Sequence, residues 1–284
     1  MSVKIVTDST SYIPEKILKE YDISVISLSV AFGGNSYKET EIKNETFYGM
    51  IKDEIPTSSQ PSVDDFFKIF EKIIKEGNDL VGVFISSEMS GTYSTANLVK
   101  NMIAENYPGS NIEIIDSRSN SMQLGLAAVS GARAAKENKS FDEVIRTINN
   151  SIKRTRYLFI PDTLKYLKKG GRIGTANALL GSLLQIKPIL TVTDGKTDLI
   201  EKIRTRQKAV QKIIQIMLKD VSEFGMEEII VHHINCYDDA VKLKNELEGI
   251  LNKNIMIADI GPVIGAHVGP GAIGIVYCTE RDIK

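Results

Sequence analysis

The chain opens with a repeating arrangement of apolar and polar blocks. "VKIV" at 3–6, "LVGVFI" at 80–85 and "IEII" at 112–115 are short, β-branched and nearly free of charge. Continuous apolar runs of this length fit strands buried on both faces, as in a parallel sheet covered by helices. Each run leads into a loop rich in hydroxyls, "TDSTS" (7–11), "SSEMSGT" (86–92) and "DSRSNS" (116–121), and then into a helical stretch. Alternating strand and helix implies right-handed crossovers and a parallel sheet with helices on both faces. Ligands of such sheets bind at the carboxyl ends of the strands, where these loops are expected to converge. Between the first two units, "PTSSQPSVDDFFKIF" sets Ser62 three residues before Asp65, a capping-box spacing. The apolar stripe of Phe66, Phe67, Ile69, Phe70, Ile73 and Ile74 follows it. This predicts a helix from Ser62 and leaves Thr57, Ser58 and Ser59 in the loop that enters it. Another helix is predicted to begin near Thr92, with Ser90 and the Gly91 amide at its amino end. Unpaired N–H groups there suit a carboxylate or phosphate. Ser58 and Ser90 also fit the plain roles of cap and turn former.

Beyond residue 156 the pattern changes. "RYLFI" reads as a strand, "DTLKYLKKGG" as a short helix ended by Gly170 and Gly171, and "ANALLGSLLQI" as a helical segment that stops before Lys187 and Pro188. "PILTVTDGKTDLIEKIRTR" reads as a hairpin turning at Asp194 and Gly195. A long helix from about 207 to 223, the strand "EIIVHHI" and a helix near 238–252 complete the pattern. The fold class is therefore α/β: an N-terminal parallel-sheet α/β domain, 1–155, and a C-terminal α+β domain with a mixed or antiparallel sheet, 156–284.

Composition narrows the function classes. The 284 residues are 42% hydrophobic and 25% charged, as in an ordinary globular protein. Met1 to Ile5 lack a basic region followed by a long apolar core, so no secretory signal is expected and the predicted location is cytoplasmic. The glycines and prolines of residues 260–279 argue against a membrane helix there. The two cysteines, Cys236 and Cys278, lie far apart and read as reduced thiols. The net charge of −1 hides an asymmetry, −6 over residues 1–150 and +5 over 151–284. The positive charge concentrates in Lys153 to Arg172 and Lys202 to Lys208, which read either as solvated faces or as a docking surface for phosphate or an acidic protein. A nucleic-acid partner is not expected, since helix-turn-helix and zinc-finger spacings are missing and the overall charge is not basic.

Most motif matches fail on context. "GPGAIG" at 269–274 has glycine spacing G-x-G-x-x-G but runs into a strand instead of opening a helix, so it is no dinucleotide fingerprint. Neither a phosphate-binding G-x-x-x-x-G-K-[ST] loop nor a G-x-S-x-G nucleophile elbow occurs. His232 and His233 are adjacent in a predicted strand, point to opposite faces and do not share a metal. The stretch "GPVIGAHVGPGAIGIVYC" (261–278) surrounds His267 with five glycines and no charge. It reads as a loop in which Gly265, Gly269 and Gly271 let the backbone approach a ligand head group, with His267 able to donate to a carboxylate. It also reads as a packing loop with an incidental histidine.

Eight motifs in order, "TDST", "TSSQPS", "SGTYSTA", "DSRS", "YLKKGGRI", "LLQIKPIL", "KIRTR" and "GPVIGAHVGPGAIG", together spanning nearly the whole chain, resemble the DegV family of bacterial fatty-acid-binding proteins, which includes the binding subunits of fatty acid kinase. The resemblance implies a two-domain carrier that encloses one long-chain fatty acid, with its tail in an apolar tunnel and its carboxyl group near the domain interface. A separate fatty acid kinase subunit carries ATP, and the carrier itself needs neither cofactor nor metal. The family's first carboxylate-binding hydroxyl lies two residues before Gln-Pro and is usually Thr; here it is Ser58, with Thr57 beside it. The second corresponds to Ser90 and a third contact to His267, whereas Arg172 and Arg204 correspond to arginines tied to phosphotransfer or kinase engagement. A different class remains open: a hydrolase or acyltransferase acting on a lipid, with Ser90 as nucleophile and His267 as base. The missing elbow motif counts against it.

Overall fold

The computed structural model describes residues 2–51, 54–180 and 186–283. Four parallel strands form one sheet in the spatial order Ser24–Ile26, Val3–Asp8, Asp79–Phe84, Ile112–Asp116. Six form another in the order Lys196–Arg204, Ile186–Thr193, Thr155–Ile160, Ile273–Cys278, Glu228–His233, Met256–Asp259. That sheet is antiparallel except for its last pair. The three runs predicted as parallel strands are the three long strands of the first sheet. Its fourth strand, the short Ser24–Ile26, carries no comparable apolar run.

Side-chain alternation decides what each sheet face covers. In the first sheet, Val6, Leu80, Phe84 and Ile114 pack with Phe66, Phe70, Val99 and Ile103 of the helices Val63–Lys75 and Thr92–Asn106. The alternate residues Ile5, Val81, Val83 and Ile115 join a larger cluster that also takes in Tyr157, Phe159, Ile230 and Val276 of the second sheet. The second sheet's other face, with Leu158, Val231, Ile275 and Tyr277, is covered by Ile213, Met217, Leu243 and Leu247 of the helices Arg206–Phe224 and Tyr237–Leu251. The layers thus run helices, sheet, shared core, sheet, helices.

The helix Ser121–Lys136 lies in the shared core and touches strands of both sheets. Its sequence, "SMQLGLAAVSGARAAK", is rich in small residues and buried on nearly every side, as expected of a helix enclosed between layers instead of facing water. The capping box at Ser62 is formed, with Asp65 N donating to Ser62 Oγ and Ser62 N donating back to Asp65 Oδ2. The hairpin turns at Asp194 and Gly195, both at positive φ.

Three readings change. Thr57–Ser59 is not a loop but the edge strand of a small antiparallel sheet, ordered Asn35–Lys38, Ser29–Phe32, Thr57–Ser59. Residues 174–179 form a 3-10 helix; of the helical segment expected over 176–186, residues 181–185 lie outside the described residues and Ile186 opens a strand. The Gly/Pro stretch around His267 is not a loop throughout, because Pro262–Val268 is a helix. Pro262 occupies its first position, where a missing N–H costs nothing, and Gly269 ends it at φ +86.

Candidate functional site

A cavity of about 300 Å³ opens between the two sheets. Ser58 reaches it from the edge strand, Ser90 from the turn before the helix Thr92–Asn106, Asn120 from the start of the buried helix, and His267 from the helix Pro262–Val268. Arg172 stands at the same end. The remaining wall is largely apolar, with Leu28, Ile85, Met89, Phe159, Leu167 and Ile264 among its residues. Both halves of the chain line it. Loops 86–92 and 116–121 do converge at the carboxyl ends of their strands, but loop 7–11 lines a separate small cavity behind the helix that carries His267.

The polar end is built from local and long-range bonds. Ser90 sits in a tight turn: its Oγ accepts from Thr92 N at 3.3 Å and pairs with Thr92 Oγ1 at 2.9 Å. Ser58 Oγ lies 2.7 Å from His267 Nε2, a hydrogen bond whose direction follows the ring tautomer. His267 Nδ1 has no hydrogen-bond partner among the described residues and faces Gly170, where an added Cβ lies 2.2 Å from it, so only glycine leaves room for the ring. Burial, and secondarily the Arg172 guanidinium, hold the His267 pKa down to about 4. The ring is neutral at neutral pH. Arg172 is fixed by Nε donating to Met89 O at 3.0 Å and Nη1 donating to Gly170 O at 2.6 Å, both backbone acceptors, and no carboxylate pairs with it among the described residues.

This arrangement suits an anion better than nucleophilic catalysis. A small acid group entering the cavity meets two hydroxyls, an imidazole and an unneutralised guanidinium. A Ser–His catalytic pair needs its histidine oriented by a third group. Here Nε2 is engaged by Ser58, not Ser90, and no carboxylate bonds to Nδ1 among the described residues.

Of the sequence-predicted residues, Ser58, Ser90, His267 and Arg172 come together, and Thr57 and Arg204 do not line the cavity. Arg204 is exposed at the end of the strand Lys196–Arg204, opposite Ile186. The expectation for Gly265, Gly269 and Gly271 is corrected: an added Cβ at these positions meets Tyr48, Tyr166 and Asp162, so they admit protein side chains and not a ligand. Gln60 was legible only as part of a motif. Its side chain packs on Gly91 and donates to Thr95 Oγ1 at 2.6 Å, tying the Ser58 strand to the Ser90 turn. Asn120 had the signal of a polar residue in a hydroxyl loop, whereas Met89 and Thr197 had none.

The DegV family model matches residues 2–280, and the chain belongs to that family. A DegV domain-containing protein of Clostridium acetobutylicum is 52% identical over 285 residues, all of both chains. Among solved structures, a stearic acid-binding protein from Eubacterium ventriosum superposes with a TM-score of 0.90 at 27% identity, covering 98% of each chain. DegV of Bacillus subtilis, described as a fatty acid binding protein, superposes with a TM-score of 0.87 at 32% identity, covering 98% of this chain and 99% of that one.

Proposed function

We propose that this protein binds one long-chain fatty acid and does not itself transform it, holding the carboxylate at Ser58, Ser90 and His267 and the tail along the apolar wall. The observation that carries the reading is the cavity's polarity: hydroxyls, imidazole and guanidinium gather at one end, and Leu28, Ile85, Phe159, Leu167 and Ile264 line the rest. The fatty acids named for the Eubacterium and Bacillus neighbours support it. Residues 1–155 act as the domain that supplies the hydroxyls, and residues 156–284 as the domain that supplies His267, Arg172 and the basic surface.

A second step rests on the arginines. The carrier presents the acyl carboxyl group to a separate kinase subunit that brings ATP, with Arg172 at the cavity and Arg204 on the exposed strand end meeting the developing acyl phosphate or the kinase surface. Guanidinium pairs with phosphate in a bidentate manner, which fits both roles. Such a carrier works in the cytoplasm and has no nucleic-acid partner; no helix among the described residues is long and apolar enough to cross a membrane.

Mass spectrometry of the purified protein, native and then denaturing, tests the reading. The expected result is a fatty acid that co-purifies and is released intact. A covalent acyl adduct on Ser90 or Ser58 would instead establish the hydrolase or acyltransferase alternative.

A further inference from the structure

Behind the His267 helix lies a buried carboxylate that the carboxylate-binding site does not use. Glu39 is only 6% exposed, and three donors converge on it. Val263 N and Tyr12 OH each donate to Oε1 at 2.8 Å, and Ser9 Oγ donates to Oε2. Tyr12 OH in turn accepts from Ile264 N at 3.1 Å. Glu39 and Tyr12 therefore satisfy two of the free N–H groups in the first turn of Pro262–Val268, a helix without a side-chain cap of its own. On its other side, Ser9 Oγ accepts from Leu28 N at 3.0 Å, and Glu39 N donates to Leu28 O at 2.9 Å. Gly261 leaves the space: an added Cβ lies 2.7 Å from the Tyr12 ring and 2.9 Å from Glu39 Oε1. Leu28, Val263 and Ile264, the residues this network holds, all line the cavity, and the same helix carries His267.

We propose that Glu39 is a positioning residue, which seats the Pro262–Val268 helix through Val263 and Tyr12 and so sets where His267 meets Ser58 and the ligand carboxylate. The proposal deepens the fatty-acid reading and rests on it for the ligand. An apolar residue would pack the same space without desolvating a charge, so the buried carboxylate is accounted for by the three donors it accepts from. Burial pushes the Glu39 pKa up to about 7 against the lowering effect of its three donors, so its charge changes near neutral pH. Asp8, Tyr12 and Tyr48 also face this network, and Asp259 lines the same small cavity. Asp8 is itself held up, to about 6, by burial.

The test follows the ¹⁵N signals of the three histidines against pH, with oleate affinity measured in parallel. His267 signals in the wild type are expected to show an inflection near pH 7 in addition to the ring's own titration near pH 4. Glu39→Gln is expected to remove that inflection, displace the His267 signals and weaken oleate binding by about tenfold, the equivalent of one hydrogen bond. His232, packed on Tyr157 in the second sheet, is the internal reference. Because Asp8 is intact in this variant, its titration does not explain an inflection that Glu39→Gln removes. Tyr12→Phe, which keeps the carboxylate but loses the Ile264 cap, is expected to displace His267 in the same direction by a smaller amount. His267 signals and oleate affinity within about twofold of wild type in both variants overturn the proposal, as does unfolding of both. If the wild type takes up no oleate, the fatty-acid reading fails, and the His267 signals still decide the role of Glu39.

Discussion

The two walls of the cavity are positioned by different means. The hydroxyl wall is held over shorter stretches of chain: Ser90 is fixed by Thr92 two residues on, and Ser58 lies in a three-residue strand paired with Ser29–Phe32 and tied through Gln60 to Thr95. The opposite wall is long-range: His267 depends on Glu39 and Tyr12, more than 220 residues away in the chain, and Arg172 on Met89. The hydroxyl wall carries no charge, whereas the second carries every titratable group at the polar end. The neutral wall is thus fixed over at most a few tens of residues, whereas the buried His267 helix is fixed by bonds that span most of the chain and Arg172 by backbone acceptors at the exposed rim.

The largest effect is expected where the second wall joins the core. Phe159 is 3% exposed and stacks on Tyr157, with ring centroids 4.9 Å apart. Phe159→Ala should destabilise the protein by about 3–5 kcal/mol in urea unfolding, the usual cost of truncating a buried aromatic. A loss under about 1 kcal/mol would place Phe159 at the edge of the core and not within it.

The second effect is a pH dependence. His267 is held down to about 4 in the folded protein against 6.5 for the free side chain, so the unfolded chain binds the extra proton between these values. Stability from this group is fully present above pH 6.5, is lost as pH falls and levels off below about 4. At 1.36 kcal/mol per pH unit the loss is on the order of 3 kcal/mol. His267→Gln should flatten the acid limb of a stability–pH curve by that amount. The buried His232, lowered to about 3, keeps its own contribution to that limb in both proteins. Parallel curves for variant and wild type would count against a buried neutral ring.

The hydroxyl wall should respond more modestly and in binding alone. Ser90→Ala is expected to weaken carboxylate binding by about 1.5–3 kcal/mol, the range for a hydrogen bond to a charged group, with little change in unfolding midpoint. Titration with oleate and with a long-chain alcohol separates the two contributions: only the acid should notice the substitution. Equal weakening for both ligands would assign Ser90 to the turn and not to the ligand.

These contrasts also explain what the sequence made legible. Strands with uninterrupted apolar runs, the Ser62 capping box and the Asp194–Gly195 turn are local signals, and each element stands where its pattern puts it. Ser58 and Ser90 stood out because hydroxyls cluster before helices, His267 because it lies alone in a charge-free stretch of glycines, and the resemblance to the DegV family added Arg172. The helix around His267 was not legible, because glycine and proline disfavour helix locally and its first turn is capped by Glu39 and Tyr12 from a distant segment. The Thr57–Ser59 strand was hidden for the same reason. Three polar residues carry no strand pattern, and their pairing to Ser29, Val30 and Ala31 is set by tertiary contact.

The smallest effect separates the two arginines that the family resemblance treats alike. Arg172 lines the cavity, stands beside His267 with no carboxylate partner among the described residues and touches the Met89 backbone, so Arg172→Ala should weaken fatty-acid retention measurably. The tail still dominates affinity: about 15 methylenes at roughly 0.8 kcal/mol each give on the order of 12 kcal/mol before ordering costs. Retention is therefore reduced and not abolished. Arg204 stands exposed beyond the cavity, where substitutions change stability by no more than about 0.5 kcal/mol, so Arg204→Ala should leave both fold and bound lipid as in the wild type. Under the proposed carrier role, both variants should fail to support ATP-dependent acyl-phosphate formation with a matching kinase. Bound lipid and phosphorylation measured side by side decide it: lipid loss in Arg204→Ala, or full phosphorylation by either variant, would remove that arginine from the kinase-facing step.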